Sequence, residues 1–132
     1  MLTKKFCFVN GEKLDKLIDY ILNIKNLEAI LLTGELGAGK TTLTSQIAKK
    51  LGETKAIISP TFNTIIVYDK LVHIDAYKLK GDLFAYEDYF ENKLVIIEWA
   101  NNVKTNFRKF LEINVTLDLK GNHIFEIMKE VY

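Results

Sequence analysis

Residues 34 to 41 read Gly34-Glu35-Leu36-Gly37-Ala38-Gly39-Lys40-Thr41, a full G-x-x-x-x-G-K-[ST] spacing. That pattern has a definite chemistry when a strand leads into it and a helix leads out. The apolar run Ala29-Ile30-Leu31-Leu32 precedes it, and the helix-like stretch from Lys40 to Leu51 follows. The glycines let the backbone close around a polyphosphate, so that successive N–H groups face inward as an anion nest. The helix behind them aims its positive end at the same phosphates. In this arrangement Lys40 reaches the β- and γ-phosphates and the Thr41 hydroxyl ligates Mg²⁺. The residues from Glu35 to Thr41 are therefore the expected nucleoside triphosphate loop, with Lys40 exposed until phosphate arrives.

A phosphate loop needs a carboxylate facing the Thr41 position, because Mg²⁺ takes hard oxygen ligands in octahedral geometry. Two apolar runs end in acids, Leu94-Val95-Ile96-Ile97-Glu98 and Val72-His73-Ile74-Asp75. Glu98 and Asp75 are thus the candidate metal and catalytic acids. On a strand His73 falls on the same side as Asp75, where it is read as a structural histidine. Trp99 follows Glu98 and either caps the core or frames a partner surface. Ser59-Pro60-Thr61-Phe62 lies where a switch segment would, with a hydroxyl able to sense the γ-phosphate or its metal; it equally fits an ordinary proline turn.

The elements that must position these residues follow from hydrophobic periodicity. A short strand at Phe6–Val9 precedes a helix from about Glu12 to Ile24, with Leu14, Leu17, Ile18, Ile21 and Leu22 on its apolar face. The helix after the loop repeats Leu43, Ile47 and Leu51 and stops at Gly52. Ala56–Ile58 reads as a strand. Thr64–Tyr68 and Leu71–Asp75 read as a hairpin turning at Asp69-Lys70. Helical segments are expected at Asp82–Phe90 and Asn101–Phe107. The continuous apolar run Leu94–Glu98 suits a strand covered on both faces. Phe110–Leu119 and His123–Met128 form a terminal hairpin. The fold class is α/β, a phosphate-loop NTPase type of mixed sheet flanked by helices, with ligands at the carboxyl ends of the strands.

The composition agrees with this reading. A chain of 132 residues is one domain by length. Seventeen lysines and a single arginine, Arg108, nearly balance the acids, and a net charge of +1 gives no bulk attraction to nucleic acid or anionic membrane. No apolar run approaches a membrane span, and the start lacks a signal-peptide core. The one cysteine, Cys7, excludes an internal disulfide and fits a reducing cytosol. Its neighbours Phe6 and Phe8 suggest that it packs.

Four segments together resemble the TsaE (YjeE) family of bacterial proteins for tRNA threonylcarbamoyladenosine biosynthesis. They are the loop with Thr41-Thr42, Ser59-Pro60-Thr61-Phe62, His73-Ile74-Asp75-Ala76-Tyr77 and Ile97-Glu98-Trp99. The resemblance runs over most of the chain. It implies a cytoplasmic, ATP- and Mg²⁺-dependent ATPase that joins TsaB and TsaD, and through them tRNA, in modifying adenosine 37. By position it implies that Thr42 joins the nucleotide-binding residues, and that Thr41 and Glu98 serve Mg²⁺ with Asp75 in or beside the metal shell. Thr61 would lie in the switch and Trp99 close to the active centre. Lys78 stands where the family usually has arginine and Ala100 where proline is common. A lysine there cannot make a bidentate contact.

Three other readings compete. A small-molecule kinase would want an acceptor site, a lid and clamping arginines, which this chain does not offer. A GTPase would want N-K-x-D, and Asn92-Lys93-Leu94-Val95 lacks the acid. A nucleotide-gated adaptor with incidental hydrolysis differs only in whether turnover is needed.

Overall fold

The computed structural model describes residues 4–34, 38–58 and 64–132. Its framework is a seven-stranded mixed sheet. In chain order the elements are β1 (Lys4–Phe8), α1 (Asp15–Leu22), β2 (Ala29–Gly34), α2 (Lys40–Lys50), β3 (Ile65–Val67), β4 (Leu71–Asp75), β5 (Leu94–Glu98), β6 (Phe110–Leu117) and β7 (His123–Val131). Across the sheet they run β1-β7-β6-β2-β5-β4-β3. The four central strands β6, β2, β5 and β4 are parallel, whereas β7 and β1 on one side and β3 on the other pair antiparallel.

Strand alternation divides the core into two layers. Ile30, Leu32, Ile96 and Leu71 face α1 and α2, where Leu17, Ile18, Ile21, Leu43 and Ile47 meet them. Ala29, Leu31, Val72, Ile74, Val95 and Ile97 face the opposite layer, built from Leu83, Ala100 and the segments around them. β5 and β2 are buried on both faces, which is why both read as unbroken apolar runs.

Some expectations need correction. The first helix is shorter than its periodicity suggests: Leu14 caps it from outside, and Leu22 is partly exposed. Residues 56–58 form no strand. The Asn101–Phe107 stretch supplies only a 3-10 turn at Ala100–Asn102, and Asp82–Phe90 becomes a 3-10 helix at Phe84–Tyr89. The asparagines of the first segment and the acids and aromatics of the second favour short local turns over a long α-helix. Cys7 is exposed, because β1 turns Phe8 inward and its alternate residue outward. The hairpin β3–β4, the strand β5 and the hairpin β6–β7 stand where the sequence puts them. No helix among the described residues is long and apolar enough to cross a membrane.

Candidate nucleotide-binding site

The chain leaves β2 at Gly34 with φ +133°. A Cβ there would stand 2.0 Å from the carbonyl oxygen of Val115 on β6. Only glycine permits the two backbones to approach this closely as the chain peels out of the sheet. Glu35, Leu36 and Gly37 lie outside the described residues, as do Thr61 and the rest of Ser59–Phe62. At Ala38, which is buried, the carbonyl accepts a hydrogen bond from His123 Nδ1 at 2.7 Å. Gly39 then caps α2 with φ +118°, and a Cβ on it would press within 3.2 Å of the same imidazole. The end of the loop is therefore clasped between α2 and the start of β7.

Lys40 opens α2 and is 5% exposed, not exposed as the sequence reading expects. Its ammonium donates to the Gly34 carbonyl at 2.8 Å and lies 5.1 Å from the centre of the Trp99 ring. The head thus finds both a carbonyl and an aromatic face. Thr41 is half-buried and Thr42 exposed on the same first turn. Thr44 donates to the Lys40 carbonyl at 3.1 Å.

The acids reach this point from the sheet. Asp75 and Glu98 are register partners at the carboxyl ends of the parallel strands β4 and β5. Both belong to the alternation that faces α2, since Ile96 and Leu71 on the same strands pack with Leu43 and Ile47. Glu98 is 7% exposed, and its Oε2 lies 2.6 Å from Nε2 of the fully buried His73. A carboxylate offers only acceptors here, so Nε2 carries the hydrogen. That leaves His73 Nδ1 buried with no hydrogen-bond partner among the described residues. His73 is thus a structural residue with a direct contact to a candidate catalytic acid. Asp75 Oδ1 accepts from the Tyr77 N–H at 2.9 Å.

Trp99 adopts the left-handed conformation, φ 57° and ψ 39°. For a bulky side chain this costs on the order of 1–3 kcal/mol. Its surroundings hold it there. The Ala76 N–H donates to the Glu98 carbonyl at 2.9 Å, and the Asn102 amide donates to the carbonyls of Ala76 and Tyr77, both at 3.1 Å. The Tyr77 ring meets Trp99 edge-on at 5.0 Å. The indole consequently stands between the Tyr77 ring and the Lys40 ammonium.

This set suits a hydrated hard cation. Among the described residues no group of three or more His, Cys, Asp or Glu side chains could hold a metal ion. Two carboxylates and a hydroxyl, completed by water and phosphate oxygens, are how Mg²⁺ is usually held at nucleotide sites. Arg108 is placed elsewhere: its N–H donates to Glu28 at 2.6 Å, beside the amino-terminal ends of β2 and β6. Two contacts escape the sequence reading, His73 with Glu98 and His123 with Ala38. Both depend on which strands become neighbours, and no local spacing signals that.

The sequence matches the family model described as threonylcarbamoyl adenosine biosynthesis protein TsaE over residues 9–124. A Rickettsia typhi protein named tRNA threonylcarbamoyladenosine biosynthesis protein TsaE is 34% identical over 118 residues, covering 82% of each chain. A protein of the same name from Aquifex aeolicus is 34% identical over 110 residues, 78% of this chain and 81% of its own. Among solved structures, YdiB of Bacillus subtilis superposes with a TM-score of 0.67 at 23% identity, covering 96% of this chain and 84% of that one. That last likeness is one of fold.

Proposed function

The chain belongs to the TsaE family, and from that premise we propose that it is an ATPase domain supporting the complex that makes N6-threonylcarbamoyladenosine at position 37 of tRNA. The observation that carries this reading is the convergence on one face of the sheet. Lys40 and Thr41 open α2, the strand-end acids Asp75 and Glu98 lie on the face of the sheet that α2 covers, and the Lys40 ammonium rests against Trp99, the residue after Glu98.

The residues divide the work. The loop backbone and Lys40 bind and orient the triphosphate. Thr41 and Glu98, with Asp75 beside them, would hold Mg²⁺, which would supply neutralisation of the charge on the transferred phosphoryl group. Thr61 serves as the switch hydroxyl. Trp99 and Tyr77 wall the site and limit water around Lys40. No arginine of this chain serves the transferred group, so hydrolysis by the isolated protein is slow and partners of the TsaB and TsaD type accelerate it. Contact with tRNA comes through that complex, in the cytoplasm.

The test is co-purification with cognate TsaB and TsaD in ATP and in ADP, combined with ATP hydrolysis with and without those partners. The expected result is nucleotide-dependent association and partner-stimulated turnover. A folded protein that neither binds ATP nor associates with either partner would overturn the reading.

A further inference from the structure

We propose that Asn102 is a positioning residue for the acids at the strand ends: its amide holds the turn that carries Asp75, and through that turn it sets how Asp75 lies against Glu98. This rests on the function proposed above and names a group outside the site that aligns it.

The parallel strands β4 and β5 leave the sheet side by side. One residue beyond the register pair Asp75–Glu98, the Ala76 N–H donates to the Glu98 carbonyl at 2.9 Å. The Asp75 carboxylate then bends back on its own chain, with Oδ1 accepting from the Tyr77 N–H at 2.9 Å. A turn closed by a side chain in this way orients the carboxylate only as firmly as the two residues after it are held. One oxygen is committed to Tyr77, and the direction of the other follows from it.

Asn102 supplies that hold. Trp99, in its left-handed conformation, turns the chain after Glu98, and the Asn102 N–H closes the following 3-10 turn on the Trp99 carbonyl at 3.0 Å. The side chain thereby comes back to the exit from β4, where Nδ2 donates to the carbonyls of Ala76 and Tyr77 at 3.1 Å each. The Ala76 carbonyl also accepts from the Leu79 N–H at 3.0 Å, so both of its lone pairs are used. Two adjacent carbonyls call for two donors on one short arm. Asparagine carries both on a single nitrogen, whereas serine has one and aspartate none. The paired acceptors also fix which end of the amide faces inward. Asn102 is exposed, so burial does not account for the residue type; the two carbonyls do. The same hold reaches further, because the Tyr77 ring meets Trp99, whose ring lies 5.1 Å from the Lys40 ammonium. Lys40 has its own bond to the Gly34 carbonyl, so loosening this turn disturbs the acids more than the phosphate grip.

The experiment uses Asn102→Ala, Asn102→Asp and, as a control, Asn101→Ala at the exposed neighbouring position of the same turn. Aspartate keeps the shape, loses both donors and adds a charge; alanine loses the donors without the charge. Without nucleotide, hydrogen exchange at the Tyr77 amide and the emission of Trp99, the one tryptophan of the chain, are recorded. With Mg-ATP and the cognate TsaB and TsaD partners, kcat and KM are measured. In both Asn102 variants the Tyr77 amide should exchange about 5–30-fold faster and kcat should fall by a similar factor, the size of losing one or two such bonds. Trp99 emission should move to the red, and KM for ATP should stay within about twofold of the wild type, because the lost alignment matters at the transition state. Asn101→Ala should match the wild type throughout. Faster exchange with unchanged kcat would make Asn102 merely structural and overturn the inference. A lower kcat with unchanged exchange, a fall confined to Asn102→Asp, or an equal fall in Asn101→Ala would overturn it as well, leaving the proposed function standing. A wild type that hydrolyses no ATP with or without partners overturns the proposed function and this inference together.

Discussion

His73 Nε2 stands 2.6 Å from Glu98 Oε2, joining the middle of β4 to the end of β5 on the face that meets α2. One oxygen of the acid is thereby fixed, and the direction of the other is set with it. Replacing His73 by leucine should free the carboxylate and leave it nearly buried without its donor, at a cost of about 1–3 kcal/mol. Mg²⁺-dependent hydrolysis should fall about 10–100-fold, the usual effect of removing a group that orients a metal ligand. His73→Gln, which keeps an N–H near the Nε2 position, should recover much of that loss. Equal activity in the leucine and glutamine variants would make the contact incidental.

Lys40→Ala should lower ATP affinity roughly 10–100-fold, because a charge-assisted contact to phosphate is worth a few kcal/mol. Since Lys40 donates to the Gly34 carbonyl, the variant should also lose about 1 kcal/mol of stability. Calorimetric titration and thermal unfolding read the two effects separately. Undiminished ATP affinity in a folded variant would remove the loop from nucleotide binding.

Alanine at Glu98 or Asp75 should impair turnover far more than affinity, because the loop still holds the phosphates. Hydrolysis rates and dissociation constants of each variant, measured over a range of Mg²⁺ concentrations, make the comparison. Glu98 is the nearly buried member of the register pair, so its loss should be the larger. An Asp75→Ala protein with full activity would return Asp75 to a purely structural role with Tyr77.

Arg108→Ala should leave ATP hydrolysis unchanged, alone and with partners. The arginine belongs to the opposite end of the parallel strands, where its backbone N–H meets Glu28. A well-placed arginine finger is worth on the order of 10³–10⁵ in rate. A large fall in this variant would therefore show that the guanidinium reaches the nucleotide by a rearrangement.

Gly34→Ala should destabilise the fold by about 3 kcal/mol or more, since the added methyl meets the Val115 backbone and not a side chain that could turn aside. Chemical denaturation measures this directly. Near-wild-type stability would mean that β2 and β6 can part at their ends without loss.

Much of the framework is legible in the sequence because it is written locally. The run Leu94–Glu98 announces a doubly covered strand, the spacing Leu43–Ile47 a helix face, and Asp69-Lys70 a hairpin turn. What escapes is relational. Counting along β4 places His73 beside Asp75, but its bond is to Glu98, a residue on the neighbouring strand 25 positions away. His123 reads as the opening of a strand and nothing more. The residues at 56–58 are apolar enough for a strand yet remain unpaired with the sheet. Burial of Lys40 is hidden for a similar reason, since it depends on Trp99 and Gly34 arriving from different strands.

The clasp of His123 on Ala38 spans 85 positions of chain. A growing polypeptide emerging from the ribosome will have β2, the loop and α2 outside long before β7 exists to fasten them. Until then the phosphate loop lacks its brace, however well its own glycines and helix are formed. On the proposed function, nucleotide capture then waits for a late stage of synthesis, and a chain truncated before β7 should carry every loop residue yet bind nucleotide poorly.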